Sequence, residues 1–163
     1  MFEIGDKVVY PMHGAGIIED IEVKEILGEK QQYYILNFPI GGMKVMIPTK
    51  KVSNIGMRQV ISDTDFNKVV QVLSQHSPIM LDNWNKRYRM NLDKIRSGDI
   101  YEVADVVRDL MLRERDKGLS TAERKMLNNA RQILISELVL STSSDEEDIV
   151  SIIDKITLNQ DGD

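Results

Sequence analysis

The sequence predicts two domains in tandem: a small all-β barrel over residues 1–60, then an all-α domain of about five helices over residues 61–163. Three observations carry that prediction. Apolar residues alternate with period two through the first sixty residues and recur every three or four positions afterwards. Glycine and proline punctuate the first part at short intervals. Residues suited to helix N-caps precede each apolar stripe of the second part.

In the first part, Lys7-Val8-Val9-Tyr10 is a β-branched run stopped by Pro11, and Gly14-Ala15-Gly16 supplies a turn. The next strand runs from Ile17 to Ile26, with Ile21 and Val23 inward and Lys24 on the solvent face. Gly28-Glu29-Lys30 turns the chain into the strand Gln32 to Phe38. Pro39 and Gly41-Gly42 then break it before Met43 to Pro48, where Lys44 and Met46 share the face opposite Val45 and Ile47. Four or five short strands in this length suggest an SH3-like or Tudor-like barrel.

The period changes near residues 56–62, which marks the boundary. Ser62 or Asp63 caps a first helix with Phe66, Val69, Val70 and Leu73 inward. Ser77-Pro78 starts a second, running to about Arg96. Asp99 with Glu102 opens a third, whose inward residues are Ile100, Val103, Ala104, Val107, Leu110 and Met111, and Gly118 ends it. The Ser120-Thr121-Ala122-Glu123 capping box opens a fourth with Met126, Leu127, Ala130, Ile133, Leu134 and Leu138 inward. Ser144 with Glu147 opens a short acidic fifth carrying Ile149, Ile152, Ile153 and Ile156, and the last residues fray.

The second helix holds the most informative stretch, Trp84-Asn85-Lys86-Arg87-Tyr88-Arg89. The single tryptophan stands among three cations and a tyrosine in a chain of net charge -5, and Lys94 and Arg96 follow. Concentrated cations suit phosphate, and a flat aromatic beside them can stack on a base or wedge between bases. Leu81, Trp84, Tyr88, Leu92 and Ile95 equally form an amphipathic stripe, which would make the indole part of the core. Both readings are open from spacing alone.

Charge and composition narrow the function classes. Residues 1–61 are balanced, residues 62–141 carry thirteen Lys/Arg against twelve Asp/Glu, and residues 142–163 carry one against seven. The acidity therefore belongs to the tail and does not exclude contact of the body with nucleic acid. With no cysteine there are no disulfides, thiolate metal sites or thiol catalysis. No apolar run is long enough for a membrane span, and the N-terminus lacks signal-peptide features, so a cytoplasmic protein is expected. His13 precedes Gly14-Ala15-Gly16, but the chain has no G-x-S-x-G elbow, and two histidines do not make a metal site. A non-enzyme without cofactor, metal or small-molecule substrate is expected.

Gly5-Asp6-Lys7-Val8-Val9-Tyr10-Pro11-Met12-His13-Gly14-Ala15-Gly16 resembles the opening of the CarD/CdnL family of bacterial transcription regulators, which is similar to the polymerase-interacting domain of the transcription-repair coupling factor. The resemblance continues through Trp84 to Tyr88, Ser97-Gly98-Asp99, Val107 to Leu110, Gly118-Leu119-Ser120, Ala130 to Leu134 and Glu137-Leu138. It covers roughly residues 2–140 in order. It implies a Tudor-like N-terminal domain that docks on the β subunit of RNA polymerase, and helices that touch promoter DNA at the upstream edge of the transcription bubble. On this resemblance Trp84 is a wedge at the fork, with Arg87 and Arg89 beside the DNA backbone, Lys86 their neighbour and Arg124 another DNA-facing cation. Lys24 falls where the family has a basic polymerase contact and Met46 where several members have arginine; Lys44, on the same strand face as Met46, is read with them as polymerase-binding. The implied effect is stabilisation of the promoter open complex with low sequence specificity. The alternative is a protein–protein adaptor that binds no DNA and keeps Trp84 as core. A lysine-methyl reader would need a cage from Tyr10, Tyr33, Tyr34 and Phe38, several of which strand alternation directs inward.

Overall fold

A computed structural model describes residues 1–76 and 83–159. Strands β1 (Lys7–Tyr10), β2 (Gly14–Ile26), β3 (Glu29–Phe38), β4 (Met43–Pro48) and β5 (Arg58–Gln59) form one antiparallel sheet in the order β4-β3-β2-β1-β5. The expected barrel does not close: β4 and β5 are the two edges of an open sheet. The short helix α1 (Val52–Ile55) lies between β4 and β5. One face of the sheet buries Val8, Ile18, Tyr34, Leu36, Phe38 and Ile47, with Met57. Tyr33 is buried as well, so the aromatics do not assemble an open cage.

Two turns differ from the sequence reading. Gly14-Ala15-Gly16 is not a turn but the start of β2; the chain reverses at Pro11-Met12-His13, where Met12 takes φ 74°. The glycines serve close packing instead. A Cβ on Gly14 (φ 105°) would stand 2.7 Å from Ser136 Oγ, and one on Gly16 would stand 2.7 Å from the Asn37 carbonyl oxygen. The β2–β3 turn is Leu27-Gly28, at φ 53° and 80°, which is the positive-φ pair that a two-residue hairpin requires. Val23 faces the same side as Ile21 yet is 66% exposed. The reason is length: β1 pairs with β2 only as far as Ile17, and β4 with β3 only from Tyr33, so the hairpin tip projects past its neighbours.

The helical part consists of α2 (Phe66–Ser74), α3 (Trp84–Arg96), α4 (Ile100–Asp116), α5 (Thr121–Thr142) and α6 (Glu146–Leu158). Its core joins Val69, Leu73, Ile95, Val107, Leu110, Leu134, Leu138, Ile149 and Ile153. The caps are partly as expected. Asp99 accepts from the Tyr101 N–H and Ser120 from the Glu123 N–H. Ser62 instead pairs with Thr64, and Ser144 with Thr142, so neither caps the helix that follows. The Ser77-Pro78 start, Leu81 and the last four residues lie outside the described residues; α3 as described begins at Trp84, with Asn83 capping the Lys86 N–H.

Sheet and helices meet along α5. Glu137, 1% exposed, accepts two N–H groups of Arg58 at 2.7 and 2.8 Å and the Ile61 N–H at 2.9 Å. The same guanidinium donates to the Gly98 carbonyl at 2.7 and 3.0 Å, at the corner between α3 and α4. Ala15 N–H donates to Ser136 Oγ at 2.9 Å, and Lys7 Nζ to the Leu140 carbonyl at 3.0 Å. Val9 and Ala15 pack on Leu140 between these bonds.

Arg58→Ala leaves a buried carboxylate with one backbone donor, so unfolding in denaturant should show a loss of about 3–5 kcal/mol. Lys44→Ala breaks only the exposed pair with Glu19 and should cost less than about 1 kcal/mol. Equal losses would show that the buried contact has no special role.

Candidate functional site

The indole of Trp84 emerges where two helices begin. Trp84 is the first residue of α3, and its Nε1–H donates to Oγ of Ser120, the N-cap of α5, at 3.1 Å. Its ring stacks on Tyr88 one turn later, with centroids 5.0 Å apart and planes 16° from parallel. The side chain is nonetheless 39% exposed. This removes the core reading of Trp84: the apolar stripe is correct for Tyr88, Leu92 and Ile95, which pack on the helical core, and among the described residues Trp84 is not part of that core.

Arg87 requires the opposite correction. The resemblance places it beside DNA, but it is 5% exposed and holds the carboxylate of Glu123, itself 1% exposed, from Nε at 2.8 Å and Nη2 at 3.1 Å. The innermost line of α3 is Arg87, Asn91 and Ile95, set four residues apart, and the ion pair makes a charged residue fit it. The Ser120–Glu123 capping box is altered for the same reason. Ser120 caps as expected, while the Glu123 carboxylate is taken by Arg87 and receives the Ser120 hydroxyl at 3.3 Å. Burial pushes the Glu123 carboxyl up, but the hydrogen bonds and charge of Arg87, with the charge of Arg113, outweigh it and hold the pKa below the ordinary 4.5.

Around the indole the cations that reach solvent are Lys86 and Arg89 on the outer side of α3, and Arg124 and Lys125 on the first turns of α5. Arg124 is tethered to Glu114 at 3.4 Å but stays half exposed. A groove of about 520 Å³ separates the two helices, lined by Tyr88, Leu92, Lys125 and Met126 among others. Lys125 escaped the sequence reading, as did the bond of Ser120 to Trp84, since the sequence reads Ser120 only as a cap. Lys125 follows Arg124 directly, and only the packing of α5 against α3 puts it beside Tyr88.

The other predicted residues share one face of the sheet, with Lys24 toward the hairpin tip and Lys44 and Met46 on β4. Cross-strand partners share a face, and the pairings Lys24↔Gln31 and Ile35↔Met46 put Lys24, Met46 and Lys44 on the face opposite the sheet core. All three are exposed, Lys24 near Glu22 at 3.6 Å and Lys44 on Glu19 at 3.1 Å. Among the described residues no cluster of His, Asp and Glu could hold a metal ion, and no helix is long and apolar enough to cross a membrane.

Arg87→Ala should destabilise the fold by about 3–5 kcal/mol by stranding Glu123, whereas Arg89→Ala should stay within about 0.5 kcal/mol of the parent. Similar melting curves for the two variants would contradict the burial of Arg87. A lowered carboxylate pKa contributes stability that is complete above its unfolded value and is lost as pH falls through the folded one. On acidification the emission of Trp84 should therefore hold at pH 4.5 and change only below it; a transition centred above 4.5 would count against the pair.

Comparison with known proteins covers both parts. Residues 2–61 match the family model "CarD-like/TRCF RID domain", and residues 68–154 match "CarD, C-terminal domain". A protein described as "Putative transcription factor YdeB", from Bacillus subtilis (strain 168), is 47% identical over 151 residues, 93% of this chain and 99% of its own length. The solution NMR structure of the 72-residue N-terminal domain of Myxococcus xanthus CarD is 37% identical; the match covers 36% of this chain and 79% of that one, with a TM-score of 0.32. With matched segments over the sheet and the helices alike, the chain belongs to the CarD/CdnL family of transcription regulators.

Proposed function

We propose that this protein docks on the β subunit of RNA polymerase through residues 1–60 and stabilises the promoter open complex through the helices that follow, with Trp84 wedged at the upstream fork of the bubble. The observation that carries the reading is an indole held 39% exposed at the junction of two helix starts, beside outward cations. Family membership supports it, since one matched domain is shared with the transcription-repair coupling factor. Lys24, Met46 and Lys44 are the docking contacts, on the part of the face opposite the sheet core that α5 leaves exposed. Lys86, Arg89 and Arg124 meet phosphates, with Lys125 added beside them, while Arg87 works beneath the surface.

The mechanism is physical. Docking holds the helices near the fork at high effective concentration, so a modest basic patch on a nearly neutral body suffices. Unstacking one base step costs a few kcal/mol, which an inserted ring offsets by stacking. A stabilisation of about 1.4 kcal/mol is a tenfold shift toward the open complex. Cations on phosphates carry no base code, so many promoters qualify.

Two variants separate the two activities. Trp84→Ala, which loses the Tyr88 stack and the Ser120 bond, should cost about 1–3 kcal/mol of stability and, once folded, bind polymerase normally and shorten open-complex lifetime by roughly tenfold. Lys24→Glu should lose polymerase while forked DNA still quenches Trp84. A folded Trp84→Ala protein that supports parental lifetimes would overturn the wedge.

A further inference from the structure

An exposed tryptophan at the first turn of a helix would ordinarily explore several rotamers, because helix ends fray and no layer confines the ring. Here two contacts confine it. Stacking on Tyr88 sets the plane of the indole, and the bond from Nε1–H to Ser120 Oγ at 3.1 Å sets its rotation within that plane.

Ser120 is itself held. A hydroxyl has one donor and two acceptor positions, and all three are used. The oxygen accepts from Trp84 and from the Glu123 N–H at 3.1 Å, and the proton is directed to Glu123 Oε1 at 3.3 Å. Glu123 is fixed in turn by the two-pronged grip of Arg87, at 2.8 and 3.1 Å. Arg87 stands three residues after Trp84 on the same helix. The contacts therefore close a circuit: indole, hydroxyl, carboxylate, guanidinium and back to the backbone that carries the indole.

We propose that Ser120, Glu123 and Arg87 are positioning residues that fix the direction in which the Trp84 indole leaves the protein, so that the ring is set before DNA arrives. The proposal rests on the wedge reading of Trp84 and adds what aims the wedge. Ordering the ring in advance removes an entropic cost that binding would otherwise meet, which is the general advantage of preorganisation. A circuit that served only to join α3 to α5 would have no need of the indole, and its disruption would act on stability without acting through Trp84.

The test uses the full chain with polymerase and promoter. Ser120→Gly removes the acceptor but keeps a residue tolerated at an N-cap, and Ser120→Thr keeps both hydroxyl and cap. Because the chain has one tryptophan, its fluorescence anisotropy reports Trp84 alone. Ser120→Gly should lower the anisotropy of the free protein and shorten open-complex lifetime by about 3–10-fold, the range a lost hydrogen bond gives; Ser120→Thr should restore both. In a Trp84→Ala background Ser120→Gly should have no further effect on lifetime. A further loss in that background, or unchanged anisotropy and lifetime in Ser120→Gly alone, overturns the positioning role while leaving the wedge. Parental lifetimes in Trp84→Ala overturn both.

Discussion

Glu137 is the contact on which the arrangement of this molecule depends. A carboxylate 1% exposed would be prohibitively costly without partners, and here the partners are Arg58 and Ile61. Arg58 is on the last strand, Ile61 follows it, and the Gly98 carbonyl that shares the Arg58 guanidinium ends the turn after α3. Through Arg58, Glu137 thus ties the sheet edge, the start of the helical segment and the α3–α4 corner to the C-terminal half of α5. Glycine makes the approach possible: with a Cβ at Gly14, β2 could not lie against Ser136. The result is a fixed angle between sheet and helices rather than two bodies on a leash.

A fixed angle matters because the two candidate surfaces do not touch. Lys24, Met46 and Lys44 lie on the exposed part of the sheet face whose β1 end packs on α5, and Trp84 lies at the joined starts of α3 and α5. On the proposed reading, polymerase holds the first and promoter DNA meets the second. A rigid junction then turns docking into aim, and a flexible one would spend part of the binding free energy on ordering.

The same economy appears at smaller scale around the indole. Arg87 and Glu123 are both charged and both buried, a combination that hydrophobic residues of similar volume would often match in stability. What the pair supplies that apolar residues would not is direction. Its fork geometry holds Glu123, Glu123 holds the hydroxyl of Ser120, and the hydroxyl holds the ring. Buried charge here is better understood as a specifier of geometry than as a source of stability.

Much of the architecture was legible in the sequence because it is local. The change of period, the apolar faces of α4 and α5 and the caps Asp99 and Ser120 depend on neighbours within a few residues. So did the outward phase of Lys24, Lys44 and Met46. Only the tertiary structure decided the rest, for reasons of reach. Whether five strands close or stay open depends on how far each extends beside the next, and Val23 is exposed because its neighbours stop short. Arg87 looks like a surface cation in any window of the sequence, since the carboxylate that draws it inward is 36 residues away on another helix. Trp84 looks like core by spacing, and becomes exposed because the helix that carries it begins there. Sequence by itself determined which residues could form each element and each face; the packing of α3 on α5 decided which cation is buried and which aromatic is left in solvent, because burial is a property of what covers a residue and not of the residue.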